Sequence, residues 1–211
     1  REVTLAAAEA GKHIYCEIAM AATPRQCREM IAAAREHGVK LTIGQSTRFQ
    51  PPFALARRVI GRGAIGEVFA INGRFTAVAG RPSRGATDSW RYRAGSAGNG
   101  HVINFGCHYI DTARFLMGQD PASVSACIAN LFSEGMISED QFVVTCRCDR
   151  GGIISIALHS PIQQVSTPNE GFTIYGTEGV LEACRRPDGI TLVRGGREPQ
   201  PVEMDDDLTR A

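Results

Sequence analysis

The order of hydrophobic patterns along the chain limits its fold more than any other feature. In the first 44 residues, helix patterns over about 3–11 and 24–36 alternate with short apolar strands at 13–16 and 40–44. This alternation predicts parallel strands joined by crossover helices. Two strands are too few for an independent sheet. We therefore expect residues 1–47 to be the tail of a larger α/β domain whose beginning lies upstream of Arg1.

The pattern changes after residue 50, where long elements replace the short alternation. A helix is predicted over about 52–60, a long strand over 67–76 and a second helix over 101–117. Only strand patterns follow, separated by turn residues. The seven strands are predicted at about 122–130, 140–149, 152–160, 171–176, 179–184, 190–194 and 200–204. Residues 48–211 are thus predicted to form an α+β domain, with an open, mostly antiparallel sheet packed on helices.

Charge and hydropathy exclude several classes of protein. The 211 residues carry 23 Lys and Arg against 22 Asp and Glu, so no basic face points to nucleic acid. Apolar runs end well before the ~18 residues that a membrane span needs. The seven cysteines are scattered, without a CxxC pair or a zinc-like spacing. We expect no metal, free thiols and a reducing, cytoplasmic location.

One glycine motif imitates a dinucleotide fingerprint. Residues 61–66 match G-x-G-x-x-G. The fingerprint works only after a strand and before a helix, because phosphate then meets the helix N-terminus. Here the predicted helix precedes the motif and the predicted strand follows it, so the segment is interpreted as a turn.

Five segments occur in an order that resembles one protein family along the whole chain. They are EVTLAAAEAGKHIYCE, GVKLTIGQSTRFQP, GRGAIGEV, WRYRAGSAGNGHVINFGCHYIDTARFLMG and FTIYGTEGVLEA. Together they resemble the NAD(P)-dependent glucose–fructose oxidoreductase / inositol dehydrogenase / MocA (Gfo/Idh/MocA) family. The resemblance implies a Rossmann domain, represented here by its tail, followed by a domain with an open, mostly antiparallel sheet.

The resemblance also implies a cofactor, NAD or NADP. In the family, a strand, a Gly-rich turn and a helix hold the pyrophosphate, and these would lie upstream of Arg1. Further helices would follow Ala211. We therefore expect this chain to be a fragment that binds NAD(P) weakly or not at all by itself.

Two family positions beside the nicotinamide are altered in this sequence. The resemblance places Glu17 in the nicotinamide pocket, where the family continues with Lys and Pro. This chain has Ile18 and Ala19 there. An isoleucine can neither donate a proton nor hydrogen-bond a hydroxyl.

The second family signature is a Gly-rich turn that leads into a helix carrying Asp and, four residues later, His. Here these positions hold Asn104 and His108, and i,i+4 side chains share a helix face. His108 is the candidate general base, and Asn104 is a candidate for positioning substrate, because an amide cannot titrate. A buried structural role for His108 stays open. Asp111 is expected to cap the helix or to pair with Arg114.

Three further residues are candidates for contact with cofactor or substrate. Arg48 follows the last strand of the Rossmann-like segment, where the resemblance implies such a contact, and packing at the domain junction is an equal alternative. Trp90 and Arg91 match the family's Trp-Arg near the mouth of the pocket. The arginines of this loop could attract an anionic substrate or could be a solvated surface.

We therefore predict an NAD(P)-dependent oxidoreductase, or a fragment of one, acting on a hydroxyl-bearing carbon of a sugar, cyclitol or related polyol. The alternative is a non-catalytic member that binds a ligand or partner, because Ile18 and Asn104 replace the family's Lys and Asp. A third hypothesis is a dimerising module. The strand at 152–160 has apolar residues on both faces, so the open sheet is predicted to form a homodimer or homotetramer.

Overall fold

The structure is a computed structural model that describes residues 1–76, 100–131, 138–160 and 170–203. Trp90 and Arg91, both predicted near the pocket, lie outside the described residues, as does the acidic run at 205–207.

The N-terminal segment has the predicted alternation of helices and strands. Its elements in chain order are α1 (Glu2–Glu9), β1 (Ile14–Cys16), α2 (Pro24–Glu36) and β2 (Leu41–Ile43). The strands pair in parallel, with Tyr15 opposite Thr42. The Thr23 side chain caps α2 by accepting a hydrogen bond from the backbone N–H of Gln26 at 3.3 Å.

A short connection leads from this segment into the larger sheet. It consists of a 3₁₀ helix (Ser46–Phe49), α3 (Pro51–Gly61) and a turn before β3 (Val68–Thr76). The turn contains the G-x-G-x-x-G match, which therefore lies after a helix and before a strand, as predicted. The division into domains at residues 47 and 48 stays a prediction.

The helix predicted over 101–117 is not a uniform α-helix. Residues Val102–Gly106 form a π-helical turn, and α4 covers Cys107–Met117. The backbone N–H of Cys107 donates to the carbonyl of Val102, five residues back. The predicted helix is present, but hydrophobic periodicity did not indicate its wider first turn.

The remaining strands complete one sheet. They are β4 (Pro121–Ala129), β5 (Gln141–Cys148), β6 (Ile153–His159), β7 (Glu170–Gly176), β8 (Gly179–Arg186), β9 (Asp188–Val193) and β10 (Gln200–Pro201). The eight strands have the order β10-β9-β8-β7-β3-β6-β5-β4. All neighbours are antiparallel except β3 and β6, which are parallel. The predicted α/β plus α+β fold is confirmed.

One face of the sheet packs on α3 and α4 to form the core. Four fully buried phenylalanines dominate it: Phe53, Phe75, Phe142 and Phe172. Phe172 meets Phe53 and Phe75 edge to face, with ring centroids 5.2 and 5.0 Å apart. Such contacts add about 0.5–1.5 kcal/mol each to the burial of their apolar area.

The other face of the sheet is mixed in character. On β6 it presents Ile153 and Ala157 alternating with Ser155 and His159, because Ile154, Ile156 and Leu158 point into the core. The cross-strand registers place Ser155 in a row of short polar or acidic side chains. The row comprises Ser125, Thr145, Ser155, Asn72, Thr173, Glu182 and Thr191.

Gly171 allows β7 and β8 to approach closely. A Cβ at this position would lie 2.1 Å from the carbonyl oxygen of Ala183. We expect Gly171→Ala to lower the free energy of unfolding by at least about 1–3 kcal/mol, the usual cost of overpacking. Urea unfolding measures the change.

Gly189, in the neighbouring strand β9, is the matched control. A Cβ there has no neighbour within 4 Å among the described residues, and the backbone φ is not positive. Gly189→Ala should leave stability unchanged or raise it slightly. If the two variants lost equal amounts of unfolding free energy, the steric explanation would be contradicted.

Candidate active site

The candidate site lies where the carboxyl ends of β1 and β2 face α4. Ligands in open α/β sheets bind at this edge of the strands. Glu17 directly follows β1, and Gly44 and Gln45 follow β2. A Cβ at Gly44 would lie 2.7 Å from the Tyr15 hydroxyl and 3.0 Å from the Glu17 carboxylate, so a glycine allows these groups to approach the strand.

His108 projects from the first turn of α4 and is half-buried. Its Nδ1 is buried and has no hydrogen-bond partner among the described residues. Burial lowers the pKa of His108, and the positive charge of Arg185 acts in the same direction; the carboxylates of Asp111 and Glu17 oppose the shift. The imidazole is therefore neutral near pH 7 and can accept a proton.

Asp111 lies one turn beyond His108 and pairs with Arg48. The Arg48 Nε donates to one carboxylate oxygen at 2.7 Å, and a second guanidinium nitrogen donates to the other. Arg48 also lies over the ring of Phe115, 5.1 Å from its centroid. The pairing of Asp111 with Arg114 expected from the sequence is wrong, because Arg114 pairs with Asp120.

Arg48 itself is partly buried, with 30% of its side chain exposed. Its contacts join the 3₁₀ helix after β2 to α4. This position agrees with the packing alternative, and contact with cofactor stays a prediction.

Asn104 lies inside the π-helical turn. Its side-chain Nδ2 donates to the carbonyl of Gly100 at 2.9 Å. The wider turn means that Asn104 and His108 do not have the angular spacing of an α-helical i,i+4 pair. A substrate-positioning role for Asn104 stays a prediction.

A cavity of about 570 Å³ adjoins the pair of Arg48 and Asp111. Its lining combines residues after β1, residues of β2 and residues of α4, including Met20, Ile43, Gln45, Cys107 and Asp111. Burial raises the pKa of Cys107, although a hydrogen bond with Gln45 acts in the opposite direction. The Gln45 Oε1 is buried and lacks a hydrogen-bond partner within the described part of the chain.

Arg185 approaches the site from the end of β8. Its Nε and one Nη each donate to the carboxylate of Glu170 at 3.1 Å. Glu170 has no exposed side-chain surface and also accepts from the backbone N–H of Thr76 at 2.6 Å. Burial alone would raise the pKa of Glu170, but the bonds from Arg185 and Thr76 and the charge of Arg185 bring it below its ordinary value.

The guanidinium of Arg185 lies over a stacked aromatic pair. The rings of Phe75 and Tyr109 are parallel within 6°, with centroids 3.5 Å apart. The Arg185 Cζ lies 5.4 Å from the Tyr109 centroid and 5.8 Å from that of Phe75. Burial raises the pKa of Tyr109 to about 12, although the nearby arginine opposes the shift, so this phenol is protonated and does not act as a base.

The structure brings together Glu17, His108 and the pair of Arg48 with Asp111. Sequence analysis missed three residues of the same region: Gln45, Glu170 and Arg185. Gln45 could have been found, because it lies just beyond a predicted parallel strand. No comparable signal marks Glu170 or Arg185, because their meeting depends on the register of β7 with β8.

Within the described ranges, no group of three or more His, Cys, Asp or Glu side chains is placed to hold a metal ion. No helix in that part of the chain is long and apolar enough to cross a membrane.

Comparison with known protein families gives two matches. Residues 53–182 match the GFO/IDH/MocA C-terminal domain, and residues 1–45 match the oxidoreductase family with an NAD-binding Rossmann fold. The chain belongs to the Gfo/Idh/MocA family.

Individual members of the Gfo/Idh/MocA family resemble the chain at moderate identity. The 1,5-anhydro-D-fructose reductase of Ensifer adhaerens is 33% identical across 97% of the chain, and the inositol 2-dehydrogenase of Rhizobium meliloti is 27% identical across 96%. The chain spans only 61% and 59% of the length of these relatives.

Solved structures agree with the assignment. Levoglucosan dehydrogenase in complex with NADH and levoglucosan superposes with a TM-score of 0.83 at 27% identity. The match covers 95% of this chain and 57% of that one.

The electrostatics around His108 generate a prediction about its pKa. The Glu17 carboxylate stabilises the imidazolium. Removing that charge with Glu17→Gln should therefore lower the His108 pKa further below its ordinary value. NMR titration of the imidazole Cε1–H resonance measures both values.

Glu36→Gln at the exposed end of α2 is the control, and it should leave the His108 titration unchanged. An equal shift in both variants would show a general charge effect. A rise of the pKa in Glu17→Gln would contradict the assignment.

Proposed function

We propose that the protein is an NAD(P)-dependent oxidoreductase that transfers hydride between a nicotinamide and a hydroxyl-bearing carbon of a sugar, cyclitol or related polyol. The observation that carries the proposal is His108: a neutral imidazole with an unpartnered buried nitrogen among the described residues, at the junction between β1 and α4. The family assignment and the sugar- and cyclitol-acting relatives support it.

The residues around the cavity suit a nicotinamide. The unpartnered Oε1 of Gln45 could accept a hydrogen bond from a carboxamide, and Met20 and Ile43 offer apolar contact to a ring. Glu17 and Arg48 lie at the same edge. When bound, NAD(P) accepts or supplies the hydride; the known complex of levoglucosan dehydrogenase with NADH supports this cofactor.

His108 takes the proton of the substrate hydroxyl during oxidation and returns it during reduction. A lowered pKa keeps the base in its neutral, accepting form near pH 7. As the proton arrives, the carboxylates of Glu17 and Asp111 stabilise the imidazolium. Ile18 takes no part in proton transfer, and Asn104 can contribute hydrogen bonds but no charge.

The relatives do not favour the non-catalytic alternative. Family members at similar distance act as reductases and dehydrogenases of sugars or cyclitols, as their names state. The altered positions 18 and 104 then imply a changed distribution of charged groups around a retained base. Activity distinguishes the two hypotheses.

In the full-length protein, His108→Ala should lower kcat by roughly 10²–10⁴-fold, the usual contribution of a positioned acid–base group. Cofactor affinity should barely change, because the dinucleotide is held mainly by the Rossmann domain. Stopped-flow detection of NAD(P)H with a panel of polyols measures kcat. Fluorescence titration with NAD(P)H measures cofactor affinity.

His37→Ala, at the exposed end of α2, is the control and should keep full activity. A His108→Ala variant with unchanged kcat would show that the histidine is structural. A folded wild type that is inactive on every polyol would support the non-catalytic alternative.

We further propose that the open sheet face pairs with a second copy of the chain. Its support is the row of polar side chains through Ser155, which are half-buried or exposed, together with the apolar residues around it, of which Ile153 is 50% exposed and Val143 39% exposed. An isologous contact between two such faces would place polar rows opposite each other.

Ser155→Arg should dissociate this dimer, because it places a long, charged side chain in the middle of the contact. Sedimentation velocity at tens of micromolar should give a dimer or tetramer for the wild type and a monomer for the variant. Ala32→Arg, on the exposed surface of α2, is the control and should assemble like the wild type. A monomeric wild type would contradict the proposal.

A further inference from the structure

The strand β4 forms one edge of the eight-stranded sheet, and both of its faces are exposed. It has nine residues, and every side chain from 122 to 128 is exposed. The strand at the opposite edge, β10, has only two residues. Within the described ranges no strand pairs with the outer side of β4, so a row of its backbone N–H and C=O groups faces away from the sheet. Such a row is a template for another strand.

The side chains of β4 leave this edge open to pairing. Natural proteins protect long edge strands with charged residues, proline or bulges. The sequence of β4, PASVSACIA, contains no charged residue. Its proline and its register shift both lie at the start, between Pro121 and Ser123. From Ser123 onwards, β4 is a regular strand that nothing in its sequence protects.

The apolar residues of β4 lack cover from the helices. They lie opposite buried core residues of β5, on the side of the sheet that packs on α3 and α4, and they are Val124, Ala126 and Ile128. Val124 is nevertheless 62% exposed and Ile128 56% exposed. The described helices therefore leave the edge of the sheet uncovered. A strand added beside β4 would remove part of this apolar surface from water.

The order of side chains in β4 fits a second copy of the same strand. When two copies pair antiparallel about a two-fold axis at Ser125, Val124 meets Ala126 of the partner subunit, and Ala122 meets Ile128 of the partner subunit. A large side chain thus faces a small one in each pair on the apolar face. No like charges meet, because neither strand carries a charge. The strand is therefore complementary to itself.

We propose that β4 pairs antiparallel with the β4 strand of a second copy and thereby joins two face-to-face dimers into a tetramer. The inference rests on the dimer proposed above through the open sheet face. Two antiparallel strands of one sheet are related by a two-fold axis perpendicular to that sheet, whereas the axis between two facing sheets lies parallel to them. Perpendicular two-fold axes that meet generate a closed tetramer. Each tetramer contains two β4 contacts, which hold together although a single one is small.

The variant Ala126→Lys tests the β4 contact without touching the open sheet face. Position 126 lies on the helix side of the sheet, where a lysine would meet Val124 of the partner subunit. Sedimentation velocity of the full-length protein at tens of micromolar should give a tetramer for the wild type and a dimer for Ala126→Lys. Gln200→Lys, in the exposed edge strand β10, is the matched control and should remain a tetramer. Circular dichroism checks that both variants are folded.

Disulfide trapping tests the register of the two strands. Cα atoms of directly opposed residues on antiparallel strands are about 4.5–5.5 Å apart, within the range of a disulfide. The background Cys127→Ser removes the exposed native thiol of β4. In this background and under mild oxidation, Ser125→Cys should form at least 10-fold more covalent dimer than Ser123→Cys, because only position 125 meets its own copy. Adding Ala126→Lys should remove the cross-link.

The outcomes separate this inference from the sheet-face proposal. A wild type that sediments as a dimer and keeps its mass in Ala126→Lys overturns the β4 contact and leaves the sheet-face dimer standing. A monomeric wild type overturns both. A tetramer that resists Ala126→Lys also overturns the β4 contact, as does a cross-link that persists in that variant, since it then arises from the sheet face. Equal cross-linking from positions 123 and 125 overturns the pairing at Ser125.

Discussion

The ion pair between Arg48 and Asp111 is the contact on which the arrangement of the site depends. It joins the end of the parallel β1–β2 segment to the helix that carries His108, across 63 residues of sequence. Only 13% of the Asp111 side chain is exposed, and the ring of Phe115 lies against Arg48, so water screens this pair less than a surface pair. Because Asp111 is one turn from His108, the same bond that joins the two segments also sets the distance between His108 and the ends of β1 and β2.

A second pair of charges comes from the sheet. Glu170 and Arg185 belong to the sheet, whereas Glu17 belongs to the Rossmann segment and Asp111 to the helix. Charges of both signs, from three separate parts of the fold, thus act on the pKa of the His108 imidazole. The charges that act on the pKa of His108 thus belong to residues that are mostly distant from it in sequence.

Local signals predicted the elements well. Thr23 and Pro24 mark the start of α2, and the alternation in β6 identifies which side chains enter the core. The π-helical turn was missed because an additional residue in one turn hardly disturbs hydrophobic periodicity. The partner of Asp111 was predicted wrongly, since a helix brings i and i+3 residues close and Arg114 is the nearer cation in sequence. Its actual partner, Arg48, comes close to it only through tertiary packing. Tertiary packing also brings Arg185 to Glu170.

The parallel pairing of β3 with β6 has a consequence for how the chain folds. Ile71, at the middle of the sheet, must meet Ile154 on one side and Ile174 on the other. A ribosome makes β3 long before either partner, so its buried side chains remain without a sheet until β6 and β7 emerge. Pairings at such sequence separation are slow, since the entropy of closing the loop is lost before any contact forms. β3 is therefore among the last strands to be covered, and partly synthesised chains expose an apolar, aggregation-prone surface there.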